Sequence, residues 1–300
     1  MFLVRLRTPN FYPVIYRLKN TEYRILVHSF FNLFAQMKMK KLFFGISLLA
    51  LFWGCTKNDP GENATRLRIK LTDEPTTYLT ELNLDIERIE VFTHPYDASE
   101  GTWSVLDFNG VIFDLLKFSN GKSKQIVDQY YPAGVIKQIK IVFGNKGKLK
   151  TAEGEKDIII PPEIMDGVVM DVDINLYAHV ISSIMIDINA AQSIYESNGN
   201  YFLNPSMRIF PETYGGILKG RVLPTEANAF VAITQDEQTL ISFPESEGMF
   251  QFIGLQGGEW EVHVKPHSQS GYQDTTFTQT IEEGKVNEIT SIIELKPITN

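Results

Sequence analysis

One cysteine in 300 residues, Cys55, excludes an intramolecular disulfide, so packing and hydrogen bonds must hold the fold. Histidine is nearly as scarce, with five in the chain; those beyond the first 54 residues are His94, His179, His263 and His267. There is no Gly-x-Ser-x-Gly elbow to present a serine nucleophile. Positive charge is short after the N-terminus. The first 54 residues take eight of the 28 Lys and Arg and one of the 36 Asp and Glu, leaving 20 against 35 in residues 55–300. A formal charge of about −15 there repels phosphates and anionic headgroups, which excludes nucleic acid as a partner of the folded part. What is plentiful is apolar: 43% hydrophobic and 12% aromatic residues suffice for proper cores.

Residues 38–41 (Lys38, Met39, Lys40, Lys41) form a small positive segment, and residues 42–53 an apolar run of 12 that ends at Gly54-Cys55. Such a run is too short to span a bilayer comfortably as a helix, and the order of charge, apolar run and small residue is that of a secretory signal peptide. Met37 and Met39 sit at its natural start. Residues 1–36 are therefore expected to lie upstream of the true initiation codon, the alternative being an N-terminal extension with its own apolar stretch around Phe30, Phe31, Leu33 and Phe34. The expected order is signal peptide over 37–54, flexible tether over 55–64 with Pro60 and Gly61, and folded chain from 65.

Gly54-Cys55 after the apolar run resembles the lipobox of bacterial lipoproteins, in which the cysteine sulfur receives a diacylglyceryl group. Phe52 and Trp53 stand where that pattern prefers an aliphatic and a small residue, a looser form familiar in the Bacteroidetes. The resemblance makes Cys55 the lipid attachment point and the membrane a partner through the anchor. Thr56, rather than Asp, after the cysteine resembles the outer-membrane sorting pattern, with the domains facing the periplasm or the cell surface. Diacylglycerol plus an amide-linked chain suffices for stable attachment, since each buried methylene contributes about 0.8 kcal/mol.

From Thr65 onward the apolar residues alternate with period two. Residues 66–72 put Leu67, Ile69 and Leu71 on one face; residues 82–92 align Leu82, Leu84 and Ile86, then Ile89 and Val91, with a phase slip that predicts a bulge near Glu87-Arg88. Further strands are expected over 135–143, 157–161, 168–176, 180–188 and 201–203, and a helical turn or two within 111–121. A boundary is expected near 210–216, after which strands recur in a second, smaller region. The fold class is all-β: two antiparallel β-sandwich-type domains in tandem, 65–212 and 213–300.

The segments KLTDEPTTYLTELNLDIERIEVF, WSVLD, FDLLKFSNG, YYPAGVIKQIKIVF, IIIPPE and YFLNPSMRIFPE together resemble the DUF4382 family of bacterial envelope lipoproteins over residues 65–212. Asp73 and Pro75 match its Asp-x-Pro turn, Leu115-Leu116 its Asp-Leu-Leu element, and Pro132, Ala133 and Gly134 its Pro-Ala-Gly turn. The family brings no activity with it. Residues 247–272 resemble carboxypeptidase regulatory-like domains of transthyretin type, through Gly248, Phe250, Phe252, Leu255, Gly258, Val262, Val264 and Gly271-Tyr272, with Trp260 in place of a frequent Tyr. That resemblance implies a non-catalytic companion domain.

Constellations that carry chemistry are weak. His263 and His267 have a helical metal spacing, but on a strand they stand about 13 Å apart with Pro266 between them, so no metal or other cofactor is expected. Residues 171–175 copy the opening of a calcium loop, yet Leu176 and Ser182 occupy the places that need Gly and Glu. Glu87 with Glu90, or Asp107 with Asp114, have no spacing that marks a glycosidase pair. Trp103, Tyr130 and Tyr131 are candidates for a glycan-stacking platform, against completion of a core. Residues 274–276 (Asp-Thr-Thr) resemble the O-glycosylation site of exported Bacteroidetes proteins, which makes Thr275 a candidate acceptor. The expected function is a lipid-anchored, non-catalytic binding or scaffolding protein of the envelope or cell surface with an unidentified protein or glycan partner. The alternatives are a glycan-binding surface protein or a structural subunit of a surface assembly.

Overall fold

Alternation along the sequence becomes strand over most of the described residues. The computed structural model describes residues 61–298 apart from 77 and 99, so the expected signal peptide, most of the tether and Cys55 lie outside the described residues. Strands β1 (Ala64–Glu74), β2 (Glu81–His94), β3 (Thr102–Val105), β4 (Val111–Asp114), β5 (Lys124–Pro132), β6 (Gly134–Phe143), β7 (Lys148–Thr151), β8 (Gly154–Ile159), β9 (Val168–Leu176), β10 (Ile181–Asn189), β11 (Ile194–Ser197), β12 (Asn200–Leu203) and β13 (Met207–Pro211) build two sheets. One has the order β13-β10-β1-β5; the other runs β11-β12-β8-β7-β2-β6-β9, with β3 and β4 also on β2. Leu67, Ile69 and Leu71 from the first sheet and Leu84, Ile86, Ile89 and Val91 from the second enclose one core. Each such side chain, fully buried, stabilises the fold by about 1.5–3 kcal/mol before entropic losses. Between the sheets, the buried hydroxyls of Thr93 and Tyr131 lie 2.9 Å apart.

The bulge expected at Glu87-Arg88 is present as a register shift between Ile86 and Arg88 against β6, and it returns Ile89 and Val91 to the inward face. Within 111–121 the chain is extended as β4 and then makes one 3₁₀ turn, Leu115–Phe118, that buries Leu115. The sheets are not antiparallel throughout. β1 lies between β5, antiparallel, and β10, parallel, with Leu67 opposite Ser182 and Glu74 opposite Asn189.

Strands β14 (Gly216–Leu223), β15 (Phe230–Gln235), β16 (Gln238–Ser242), β17 (Met249–Leu255), β18 (Gly258–Lys265), β19 (Thr275–Ile281), β20 (Val286–Glu288) and β21 (Ile293–Glu294) follow. They form the sheet β17-β14-β20, with β21 also on β14, and the sheet β16-β15-β18-β19. A second core gathers Leu218, Val231, Ile233, Phe250, Phe252, Val262 and Val264 around the fully buried Trp260. The Trp260 indole N–H donates to the Gln256 carbonyl at 2.9 Å, so the ring is buried without an unpaired donor. Both cores belong to one compact unit.

Candidate functional site

The most unusual chemistry sits at the end of β1, where an inward run of Leu67, Ile69 and Leu71 continues into Asp73. Strand alternation sends Asp73 toward the first core and its neighbours Thr72 and Glu74 to the opposite face. In the parallel pairing with β10, Thr72 stands opposite Asp187 and Glu74 opposite Asn189, so Glu74 and Asp187 share that outer face. Asp73 is 5% exposed, and neither of its oxygens has a hydrogen-bond partner. Burial, reinforced by the charge of Asp187, pushes its carboxyl well above the usual range.

Glu74 is equally buried but fully engaged. Its Oε2 accepts from the Asn189 side-chain amide at 2.6 Å and its Oε1 from the Ile241 backbone N–H at 2.8 Å. Burial and the nearby Asp187 push its carboxyl up to about 8, against the opposing pull of Arg208 and these two donors. Arg208 on β13 pairs with Asp187, sets its guanidinium 5.2 Å from the Phe210 ring centroid, and donates from Nη1 to the Gly254 carbonyl at 3.4 Å.

A third segment reaches the same seam. Asn120, in the left-handed region with φ 58°, follows the 3₁₀ turn. Its Oδ1 accepts from the Gln251 N–H at 2.6 Å and the Ser242 hydroxyl at 3.0 Å, and its Nδ2 donates to the Met249 carbonyl at 3.2 Å. Lys122 and Glu245 form an ion pair of 2.8 Å beside it. The acceptors and donors on the far side share one property. β16 pairs only with β15 and β17 only with β14, so Ile241, Met249 and Gln251 belong to edge strands whose outer backbone groups lack a neighbouring strand. Side chains of the first region thus satisfy the open edges of the second. Gly254 completes the fit: at φ 63° it turns the chain against the Phe210 ring, where a Cβ would collide.

This arrangement joins side chains of the first region to edge backbone of the second. Strand alternation also separates Asp73 from Glu74 and Asp187, so the acids do not converge as a ligand set. Elsewhere an open cleft of about 650 Å³ is lined by Tyr78, Thr80, Thr151, Glu153, Ile194, Glu196 and Tyr201. Tyr78 is held there by donation from its hydroxyl to the Ala191 carbonyl at 2.9 Å, and the Glu196-Tyr201 cross-strand pair lies side by side on β11 and β12.

The aromatics expected to make a stacking platform are not brought together. Tyr130 and Tyr131 are consecutive on β5 and so point to opposite faces. Tyr131 is 7% exposed with its hydroxyl on Thr93 and completes the first core, whereas Tyr130 is 47% exposed under the Arg66 guanidinium. Trp103, 41% exposed, belongs to the other sheet, against Phe92 and the Lys140 ammonium. Thr275 is half-buried at the start of β19. His263 lies on the outer face of β18, 3.1 Å from Glu261, and His267 follows the strand's end. Glu74, Asn120, Asp187 and Arg208 are not among the residues that the sequence marks as candidates. One usable signal was the apolar Met185 two residues before Asp187, on the same outer face of the strand, which marks that face as covered by other chain.

Asp73 and Asp114, from the two motifs DEP and FDLL, both carry buried unpaired oxygens, and the charge of Asp114 helps raise the Asp73 carboxyl. Residues 64–205 match the DUF4382 family. Its description is a domain of unknown function. No curated protein matches the chain. Among solved structures, the Bacillus anthracis TIE protein is 12% identical with a TM-score of 0.23, over 79% of this chain and 34% of that one, so the present chain spans about a third of its length. BcpA, the major pilin subunit of Bacillus cereus, is 12% identical with a TM-score of 0.25, over 78% of this chain and 71% of its own. The shaft pilin SpaA from Lactobacillus rhamnosus GG is 10% identical with a TM-score of 0.24, over 79% and 99%. Within residues 64–205 the two acidic motifs meet at the first core, and Glu74 and Asn120 reach the strands that follow.

Proposed function

We propose that this chain is a lipid-anchored envelope or cell-surface protein of the outer membrane whose β regions act as a non-catalytic binding or scaffolding body. The observation that carries the reading is the use made of its perturbed acids. Glu74, whose carboxyl is displaced to about 8, is bonded to Asn189 and to the Ile241 N–H in a buried seam, where a catalytic acid would need open access to a substrate. Residues 65–212 and 213–300 are taken as the two domains, the second a carboxypeptidase regulatory-like companion, and the separate hydrophobic clusters support that division. Cys55 would hold the tether to the membrane, and the charge of about −15 that follows it keeps the body off anionic surfaces.

A second reading, glycan recognition, is favoured by the cleft, where Tyr78 and Tyr201 offer rings and Glu153 and Glu196 offer acceptors for sugar hydroxyls. One experiment addresses both. The chain incubated with panels of glycosides, esters, peptides and envelope glycans should turn over none of them. Multiple turnover would overturn the non-catalytic reading, and glycan retention lost in Tyr201→Ala would favour the second.

A further inference from the structure

Every long sheet edge in the described residues but one is managed. β5 carries Lys124, Asp128 and Pro132; β9 carries Asp171 and Asp173; β13 carries Arg208 and Pro211. The outer edges of β16 and β17 are met by Glu74, Asn120 and Arg208. β19, Thr-Thr-Phe-Thr-Gln-Thr-Ile, pairs on one side with β18 and on the other with no strand, and it has neither charge nor proline nor glycine. A seven-residue edge of that composition is a template for strand addition.

The backbone direction of β19 can be read from its neighbours. The Gln279 side-chain amide donates to the Thr280 carbonyl at 3.0 Å, and the Gln235 amide donates to the Glu259 carbonyl at 3.3 Å from the β15 side. Glu259 is the partner of Thr280 in register, so this pair does not exchange ladder bonds, and Thr280 points its N–H and C=O outward. By the two-residue repeat, Thr276 and Thr278 do the same. Their side chains are exposed on the outer sheet face, while Phe277, Gln279 and Ile281 turn to the second core.

We infer that β19 is a homodimerisation edge: two copies of this chain join their β16-β15-β18-β19 sheets by antiparallel β19 pairing centred on Thr278. The strand fits itself in that register. Thr278 meets Thr278 of the second copy, Thr276 meets Thr280, and Phe277 meets Gln279, so the outward-pointing residues 276, 278 and 280 exchange ladder bonds and stack as threonine pairs. No like charges are opposed, because the strand has none. The pairing is isologous and closes as a twofold dimer of eight-stranded sheets, leaving no further β19 edge for a third copy. It deepens the scaffolding reading and does not require the lipid anchor.

The test uses full-length protein in detergent, oxidised mildly, with Thr278→Cys compared with Thr276→Cys, Thr280→Cys and the unaltered chain, whose Cys55 serves as the background. In the inferred register the thiols introduced at 278 face each other at disulfide distance, whereas those at 276 stand about 13 Å apart along the strands. Thr278→Cys should therefore give about tenfold more disulfide dimer than Thr276→Cys alone, while an equal mixture of Thr276→Cys and Thr280→Cys should crosslink efficiently. Thr278→Lys should shift the unaltered dimer to monomer by sedimentation, with its circular dichroism unchanged. Equal crosslinking at 276 and 278, an unaltered chain that sediments as a monomer at micromolar concentration, or crosslinking to a different protein alone would overturn the inference.

Discussion

Glu74 illustrates how one residue sets a pH dependence for the whole fold. Its carboxyl sits near 4.5 in the unfolded chain and at about 8 in the folded one, because burial and Asp187 disfavour its charge. The native state therefore holds a proton that the unfolded state releases between those limits. Stability from this group is fully present below about pH 4.5 and is lost as pH rises through about 8, at up to about 1.4 kcal/mol per pH unit. Asp73, raised in the same direction, adds to it. Urea midpoints should accordingly fall between pH 5.5 and pH 8.5, and Glu74→Gln should remove a measurable part of that fall while keeping the bond from the Ile241 N–H. An unchanged slope in the variant would show that Glu74 is already ionised in the fold.

At the scale of elements, the seam works because side chains replace strands. Asn120 alone meets the Gln251 N–H, the Met249 carbonyl and the Ser242 hydroxyl, all on the open sides of β16 and β17. Asn120→Ala should cost about 1–3 kcal/mol, since it leaves the part-buried Gln251 N–H and the buried Ser242 hydroxyl without their acceptor. Amide exchange at Gln251 should accelerate more than at Phe250, which remains bonded within its sheet; equal protection at both would mean that water replaces the asparagine without cost. The strands themselves were legible in the sequence. β9 coincides with the expected 168–176, and the slip between Ile86 and Ile89 announced the bulge. Period two reports a face, however, and not a partner. The parallel pairing of β1 with β10 joins Arg66 to Ile181 across more than a hundred residues and leaves no local trace. The seam is harder still, because Glu74, Asn120 and Arg208 come from three distant segments and bond mainly to backbone, which has no letter in the sequence. Tyr130 and Tyr131 show the reverse: their adjacency suggested a common surface, and strand geometry forbids it.

At the scale of the molecule, two hydrophobic cores lie within one compact unit. The body has the makings of a scaffold: edges that are charged, covered or, at β19, free for a second copy, and buried acids committed to structure. Placing that body in the envelope rests on Cys55, and one measurement reaches this most directly. Cells producing the unaltered chain or Cys55→Ser are fed a clickable palmitate and separated into membrane and soluble fractions. The account predicts a labelled chain that sediments with membranes and an unlabelled Cys55→Ser chain released from them. A Cys55→Ser chain that stays with the membranes, or an unaltered chain that takes up no label, would contradict it.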